Sequence, residues 1–140
     1  MPIDHVGVRV ADLSLSRDFY AHILRPLGLT HVGDVHGWAG FGAHGRASFW
    51  CGTGSEPPQP THVAFRVASR QAVHEFFDNA VAHGARVKSP PGLFPEYHAA
   101  FYAAMVLDPD GHNIEAVCHE ADGAFAPESA EVPLQPQATV

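Results

Sequence analysis

Cysteine is nearly absent: Cys51 and Cys118 are the only two in 140 residues and form no C-x-x-C pair, so neither a disulfide framework nor a thiolate zinc site is on offer. Charged residues are also few, at 16%, and basic ones fewest. Eight Lys and Arg against fifteen Asp and Glu leave a formal charge of −7, which disfavours attraction to nucleic acid or an anionic membrane. No apolar run approaches the roughly 20 residues of a membrane helix. Met1 to His5 show neither the basic nor the apolar region of an export signal, so a cytoplasmic, reduced chain is expected. Glycine-rich phosphate loops and a G-x-S-x-G elbow are missing too, which leaves nucleotide-binding and serine-hydrolase readings without support. What is abundant is histidine, with 11 residues, and that invites a metal or proton-transfer reading.

The chain repeats itself. His5-Val6-Gly7-Val8-Arg9-Val10 matches His62-Val63-Ala64-Phe65-Arg66-Val67 at an offset of 57, and the same offset carries Phe19-Tyr20 onto Phe76-Phe77. Each copy opens with a period-two strand and continues with a helix. Phe19, Tyr20, Ile23, Leu24 and Leu27 follow Asp12 or Ser14 as N-cap and stop at Gly28; Val73, Phe76, Phe77, Ala80 and Val81 follow Ser69 and stop at Gly84. Strand-like segments come next at residues 40–42, 47–51, 103–107 and 112–118. Asp108-Pro109-Asp110-Gly111 is a turn signal between the last two, and residues 89–98, rich in proline, are expected to form an inserted loop. This predicts one α+β domain over residues 1–120: a first module at about 3–53, a linker at 54–60 and a second module at about 61–119. An acidic, proline-containing tail follows at 121–140.

Strand parity puts the valines of each opening strand on one face and His5 with Arg9, or His62 with Arg66, on the other. In the last strand Glu115 shares parity with Asn113 and Val117. Two imidazoles and a carboxylate are thereby expected to project into one concavity, a 2-His-1-carboxylate set suited to Fe(II), Mn(II), Ni(II) or Zn(II). A carboxylate within Ile114-Glu115-Ala116-Val117 is costly to bury unless paired or metal-bound, although exposure on an edge strand would also account for it. Arg9 and Arg66 could fork onto a substrate carboxylate or form structural salt bridges. Phe49, Trp50 and Trp38 could line an apolar pocket or pack between modules. Eight histidines, all except His5, His62 and His98, are expected to be solvated.

The paired β-α-β-β-β modules, the His-Val openings, the stretch Asp12 to Tyr20 and the run Asp108 to Glu115 together resemble the vicinal oxygen chelate superfamily of glyoxalases, extradiol dioxygenases, fosfomycin-modifying transferases and bleomycin-binding proteins. The resemblance spans about residues 3–119. It implies a U-shaped sheet around a concave metal site with helices on the outer face, and a homodimer whose modules pair within or between chains. It implies a divalent cation on His5, His62 and Glu115, and lyase, isomerase or ring-cleaving chemistry on an oxygen-chelating small molecule. A metal-free drug-binding protein of the bleomycin-sequestering kind is the alternative. In glyoxalase I a fourth ligand, a glutamate, comes from the first module; Ser48 or Phe49 falls there in this chain. Extradiol dioxygenases carry a tyrosine ten residues before the glutamate, where this chain has Met105, with Tyr102 just upstream as a candidate to reach the cavity. The loop Tyr97-His98-Ala99-Ala100-Phe101-Tyr102-Ala103-Ala104 resembles a glyoxalase-like branch, in which His98 or Tyr97 could reach inward as a base or simply cover the cavity.

Overall fold

In the computed structural model, which describes residues 2–121, both halves of the chain fold as a strand, a helix and three further strands. The first module runs β1 (Val6–Arg9), α1 (Leu13–Ile23), a 3-10 turn (Arg25–Leu27), β2 (Thr30–Val35), β3 (Trp38–Ala43) and β4 (Arg46–Gly52). The second runs β5 (His62–Arg66), α2 (Arg70–Ala82), β6 (Arg86–Leu93), β7 (Tyr102–Leu107) and β8 (Asn113–Cys118). The strands make two four-stranded mixed sheets: sheet A, ordered β1-β4-β3-β2, and sheet B, ordered β5-β8-β7-β6. The opening strand of each is parallel to the last, and the remaining pairs are antiparallel. The repeat in the sequence is thus a repeat of topology. Most of the expected tail, beyond residue 121, lies outside the described residues.

The helices begin where a short polar side chain can satisfy an orphan N–H. Asp12 accepts from the Leu15 amide and Ser69 from the Ala72 amide, each at 3.1 Å. They bury one stripe each: Phe19, Tyr20 and Ile23 from α1, and Val73, Phe76 and Ala80 from α2. Those stripes meet Val8, Cys51, Val106, Ile114 and Ala116 in one continuous core shared by both modules. Phe49 belongs to this core. Register sets it beside Val6, on the valine face, where it is fully buried against the Tyr20 and Phe65 rings at 4.7 and 5.5 Å. The expectation that Phe49 lines a pocket is therefore corrected.

The turn at 108–112 ties the modules together. Tyr20 of α1 donates its hydroxyl to Asp108 at 2.5 Å, and the other Asp108 oxygen accepts from the Asp110 and His112 amides. Asp110 accepts from the Ala11 amide. The His112 ring accepts from the Thr61 amide through Nδ1 and donates through Nε2 to the Arg9 carbonyl. His112 is fully buried, so it is a structural bridge and not one of the solvated histidines expected.

The inserted loop is shorter than the proline content suggests. β6 continues through Pro90, Pro91 and Gly92 to Leu93, with register shifts flanking Ser89. As an edge strand it can carry prolines, because a missing N–H on the outer side breaks no ladder bond. The loop proper is Phe94 to Phe101.

Candidate functional site

The face of sheet B opposite its helix carries His62, Ala64 and Arg66 from β5, Asn113, Glu115 and Val117 from β8, and Ala103 and Met105 from β7. Glu115 is buried to 3% exposure and, among the described residues, meets a single polar partner, Nε2 of His62, at 2.8 Å, while more than half of the His62 side chain remains open. Burial pushes the Glu115 carboxyl above the ordinary carboxylate range, and the His62 hydrogen bond, the His62 charge and Lys88 pull it back. Met105 stands directly across from Glu115, and Asn113 beside His62. The Asn113 Oδ1 is buried with no hydrogen-bond partner among the described residues. Two donors held about 2.1 Å from one ion at a right angle stand about 3 Å apart, so the spacing of Nε2 and Oε2 suits two neighbouring ligands of a divalent cation.

Sheet A presents a different surface. His5 precedes β1, its Nδ1 2.6 Å from Asp4 Oδ1 and its side chain largely open. Next to it is a cleft of about 360 Å³ lined by His5, Gly7, Val35, His36, Trp38 and Trp50. All six residues come from the first module. The Arg9 guanidinium lies over the Trp38 ring at 4.8 Å and donates to the Thr53 carbonyl, so it is held against the indole and forms no ion pair among the described residues.

His5, His62 and Glu115 do not converge within one chain. Among the described residues no three His, Cys, Asp or Glu side chains form a metal-holding group. The sheets join through the shared core, the contact of α1 with α2 and the 108–112 turn, and not through strand pairing. Within one chain the expected single concavity is not formed: His5 lies beside sheet A, and His62 with Glu115 on sheet B.

Three other expected site residues lie elsewhere. Tyr102 registers with Cys118 on the helix side of sheet B, where its hydroxyl pairs with His74 of α2 at 2.6 Å and Arg70 lies over its ring. No bulge turns it toward Glu115, and its expected catalytic role is corrected. His98 is buried on the loop. Its Nδ1 accepts from the Ala100 amide and its Nε2 donates to Nδ1 of His119 at 2.8 Å. Burial, with Arg66 and His98 nearby, holds His119 below the ordinary imidazole value. His119 is four residues beyond Glu115, about 13 Å along a strand, so the His98–His119 pair stands too far away to move a proton at the Glu115 carboxylate. Tyr97 packs on Phe94 and Phe101, covering this end of the sheet. Sequence parity alone could have flagged His119, which follows Glu115 and Val117 on the same face. His36 and Gly7 carried no such signal.

These arrangements match a known family over most of the chain. The profile described as Glyoxalase/Bleomycin resistance protein/Dioxygenase superfamily covers residues 2–116. A glyoxalase/bleomycin resistance protein from Albidiferax ferrireducens is 26% identical, with a TM-score of 0.71 over 82% of this chain and 96% of that one. A glyoxalase/bleomycin resistance protein/dioxygenase family enzyme from Burkholderia phytofirmans is 19% identical, with a TM-score of 0.67 over 86% and 100%. The oxidase ChaP-H2 is 22% identical, with a TM-score of 0.64 over 90% and 98%. No curated protein matches. No described helix is long and apolar enough to cross a membrane. By its paired modules and the extent of the profile match, the chain belongs to the Glyoxalase/Bleomycin resistance protein/Dioxygenase superfamily.

Proposed function

We propose that the protein is a divalent-metal-dependent enzyme acting on a small molecule with neighbouring oxygens, by lyase, isomerase or dioxygenase chemistry. The ion would be held by His62 and Glu115 of one chain and by His5 of the partner subunit. The observation that carries this reading is the buried Glu115 carboxylate, whose single partner among the described residues is a half-open imidazole 2.8 Å away. Desolvating a carboxylate costs several kcal/mol unless charge is returned to it, and a divalent cation returns more than a hydrogen bond does. The unpartnered Asn113 Oδ1 beside it supports a polar guest at the same place. Fe, Mn, Ni and Zn all suit this nitrogen and oxygen donor set. When bound, such an ion acts as a Lewis acid on a chelating substrate.

The chain's own residues would do the rest. His62 and Glu115 define one edge of the ion's shell. Met105 and Val117 flank Glu115 with apolar surface and keep water from the carboxylate. Arg66 stands on the same face and offers forked donors to a substrate anion.

Separation of His5 from His62 and Glu115 within one chain is what favours a dimer. A two-fold axis sets the same patch against itself, so residue i of one chain meets residue j of the other at two equivalent places. Two composite sites result. The test is metal content by mass spectrometry on untagged protein, for wild type, His5→Ala, Glu115→Ala and a refolded mixture of the two variants. Loss in each variant with partial recovery in the mixture is expected. Unchanged metal in both variants would overturn the metalloenzyme, whereas loss without recovery would overturn only the sharing between chains.

A further inference from the structure

Both tryptophans of the chain lie flat on sheet A, over strand positions that have no side chain. Gly7, Gly40 and Gly52 share a face with Trp38 and Trp50. A Cβ on Gly40 would stand 2.7 to 2.9 Å from the six-membered ring of Trp50, and one on Gly7 would stand 3.1 Å from that of Trp38. A Cβ on Gly52 would overlap the Trp38 ring outright. Contacts under 3 Å are shorter than van der Waals separation, so the indoles reach the peptide planes only because Gly40 and Gly52 are glycine, and at Gly7 a side chain would press on the Trp38 ring. None of the three adopts a positive φ. Their backbone conformation does not call for glycine; the space does.

An indole laid down in this way turns its other π face away from the sheet. Both rings are only half-buried, and the 360 Å³ cleft opens above them with His5 on its rim. That volume falls at the lower end of the range for small-molecule sites. Arg9 covers part of Trp38, which leaves Trp50 as the more open surface. Flat π faces prefer a second flat ring, offset or edge-on, over a saturated chain of equal size.

We propose that sheet A is a stacking platform for a planar aromatic ring, seated on Trp50 with the ring's edge toward the His5 rim. The platform needs no metal and stands apart from the metalloenzyme reading above.

The chain contains only two indole N–H groups, so two cross-peaks in a proton–nitrogen correlation spectrum report on the platform alone. Catechol and cis-cyclohexane-1,2-diol offer the same pair of oxygens and differ in planarity. Each is titrated into dimeric, full-length protein in EDTA and again with zinc. Catechol is expected to shift both indole peaks saturably in either condition, while the saturated diol leaves them in place in EDTA. Gly40→Val, which lifts Trp50, should weaken catechol binding at least tenfold; if that variant does not fold, Trp50→Leu is read through the remaining Trp38 peak.

Equal response to the two diols, no response to catechol in EDTA, or unchanged affinity in the folded Gly40→Val or Trp50→Leu variant would each overturn the platform, leaving the indoles as cover for bare strands. Calorimetry with zinc alone separates the two readings. Catechol shifts without zinc binding would support the platform and defeat the metalloenzyme. Zinc binding without catechol shifts would do the reverse.

Discussion

Row by row, sheet A places Gly7 beside Trp50 and Trp50 beside Gly40, while sheet B places Ala64 beside Glu115 and Glu115 beside Met105. Trp50 is thus the register counterpart of Glu115, and Gly40 that of Met105. The duplicated frame holds an indole where its twin holds a buried acid. The neighbours change to suit: glycine on both sides lets a large ring lie down, and alanine with methionine closes around a small charged group. Neither Ser48 nor Phe49, the positions suggested by sequence offsets, takes the place of Glu115. The bulge that inserts Ser48 into β4 displaces the glycine-anchored offset by one, and the cysteines are not counterparts: Cys51 stands beside Val8, whose repeat Phe65 stands beside Ala116 and not Cys118. One scaffold copied twice has acquired two surfaces, one for shape and one for charge.

Phe49 and Trp50 offer the hardest test of that comparison, because adjacent residues of one strand face opposite worlds. Phe49→Ala should cost about 3–5 kcal/mol in chemical denaturation, as a fully buried aromatic truncated to a cavity does. Trp50→Ala should cost less than half of that and instead abolish ring binding. Equal destabilisation would remove the distinction between core face and ligand face.

Glu115→Gln tests the charged surface. Metal affinity measured by calorimetry should fall about 100-fold or more, the upper end of what even outer-shell partners contribute. Folded stability without metal should hold or rise, since the substitution removes a desolvated charge. A marked loss of stability would make Glu115 a structural partner of His62 and no more.

Tyr20→Phe probes the join between modules. Leaving Asp108 short of a buried donor should cost about 1–3 kcal/mol. The native Tyr20 phenol is held well above its ordinary value of 10.0 by burial first and by Asp108 second. An acid whose folded pKa is raised contributes stability below its unfolded pKa and loses it as pH climbs through 10 toward the folded value. Denaturation curves from pH 8 to 11 should therefore fall for wild type and run flatter for Tyr20→Phe. The smallest effect belongs to Tyr102→Phe. Its bond to His74 is exposed, and the variant should change stability by about 0.5 kcal/mol and metal affinity not at all. A loss of metal there would return Tyr102 to the site.

Much of the frame was legible from residue patterns. Asp12, Ser69, Gly28 and Gly84 mark helix ends because capping and left-handed turns depend on local chemistry alone. Period two separated Val8 from Arg9 and Ile114 from Glu115 for the same reason. Phe49 was misjudged because its parity depends on which residue of β1 it faces, and Tyr102 because parity at the start of β7 depends on its pairing with Cys118. His112 counted among the solvated histidines until the turn folded back onto Arg9. Prolines 90 and 91 signalled a loop when the sheet in fact had a free edge to receive them.

By itself, then, the sequence determined two copies of a strand–helix–strand module, the polar and apolar face of each opening strand, and a chemically suitable trio in His5, His62 and Glu115. These follow from local periodicity and from a repeat that any reader of the chain can align. Only the tertiary structure decided that the trio is split between two sheets, that Glu115 is buried against His62, and that glycines on three strands leave room for two indoles. Those properties arise from register between strands and from which faces share a core, and both are set by contacts between residues that are far apart along the chain.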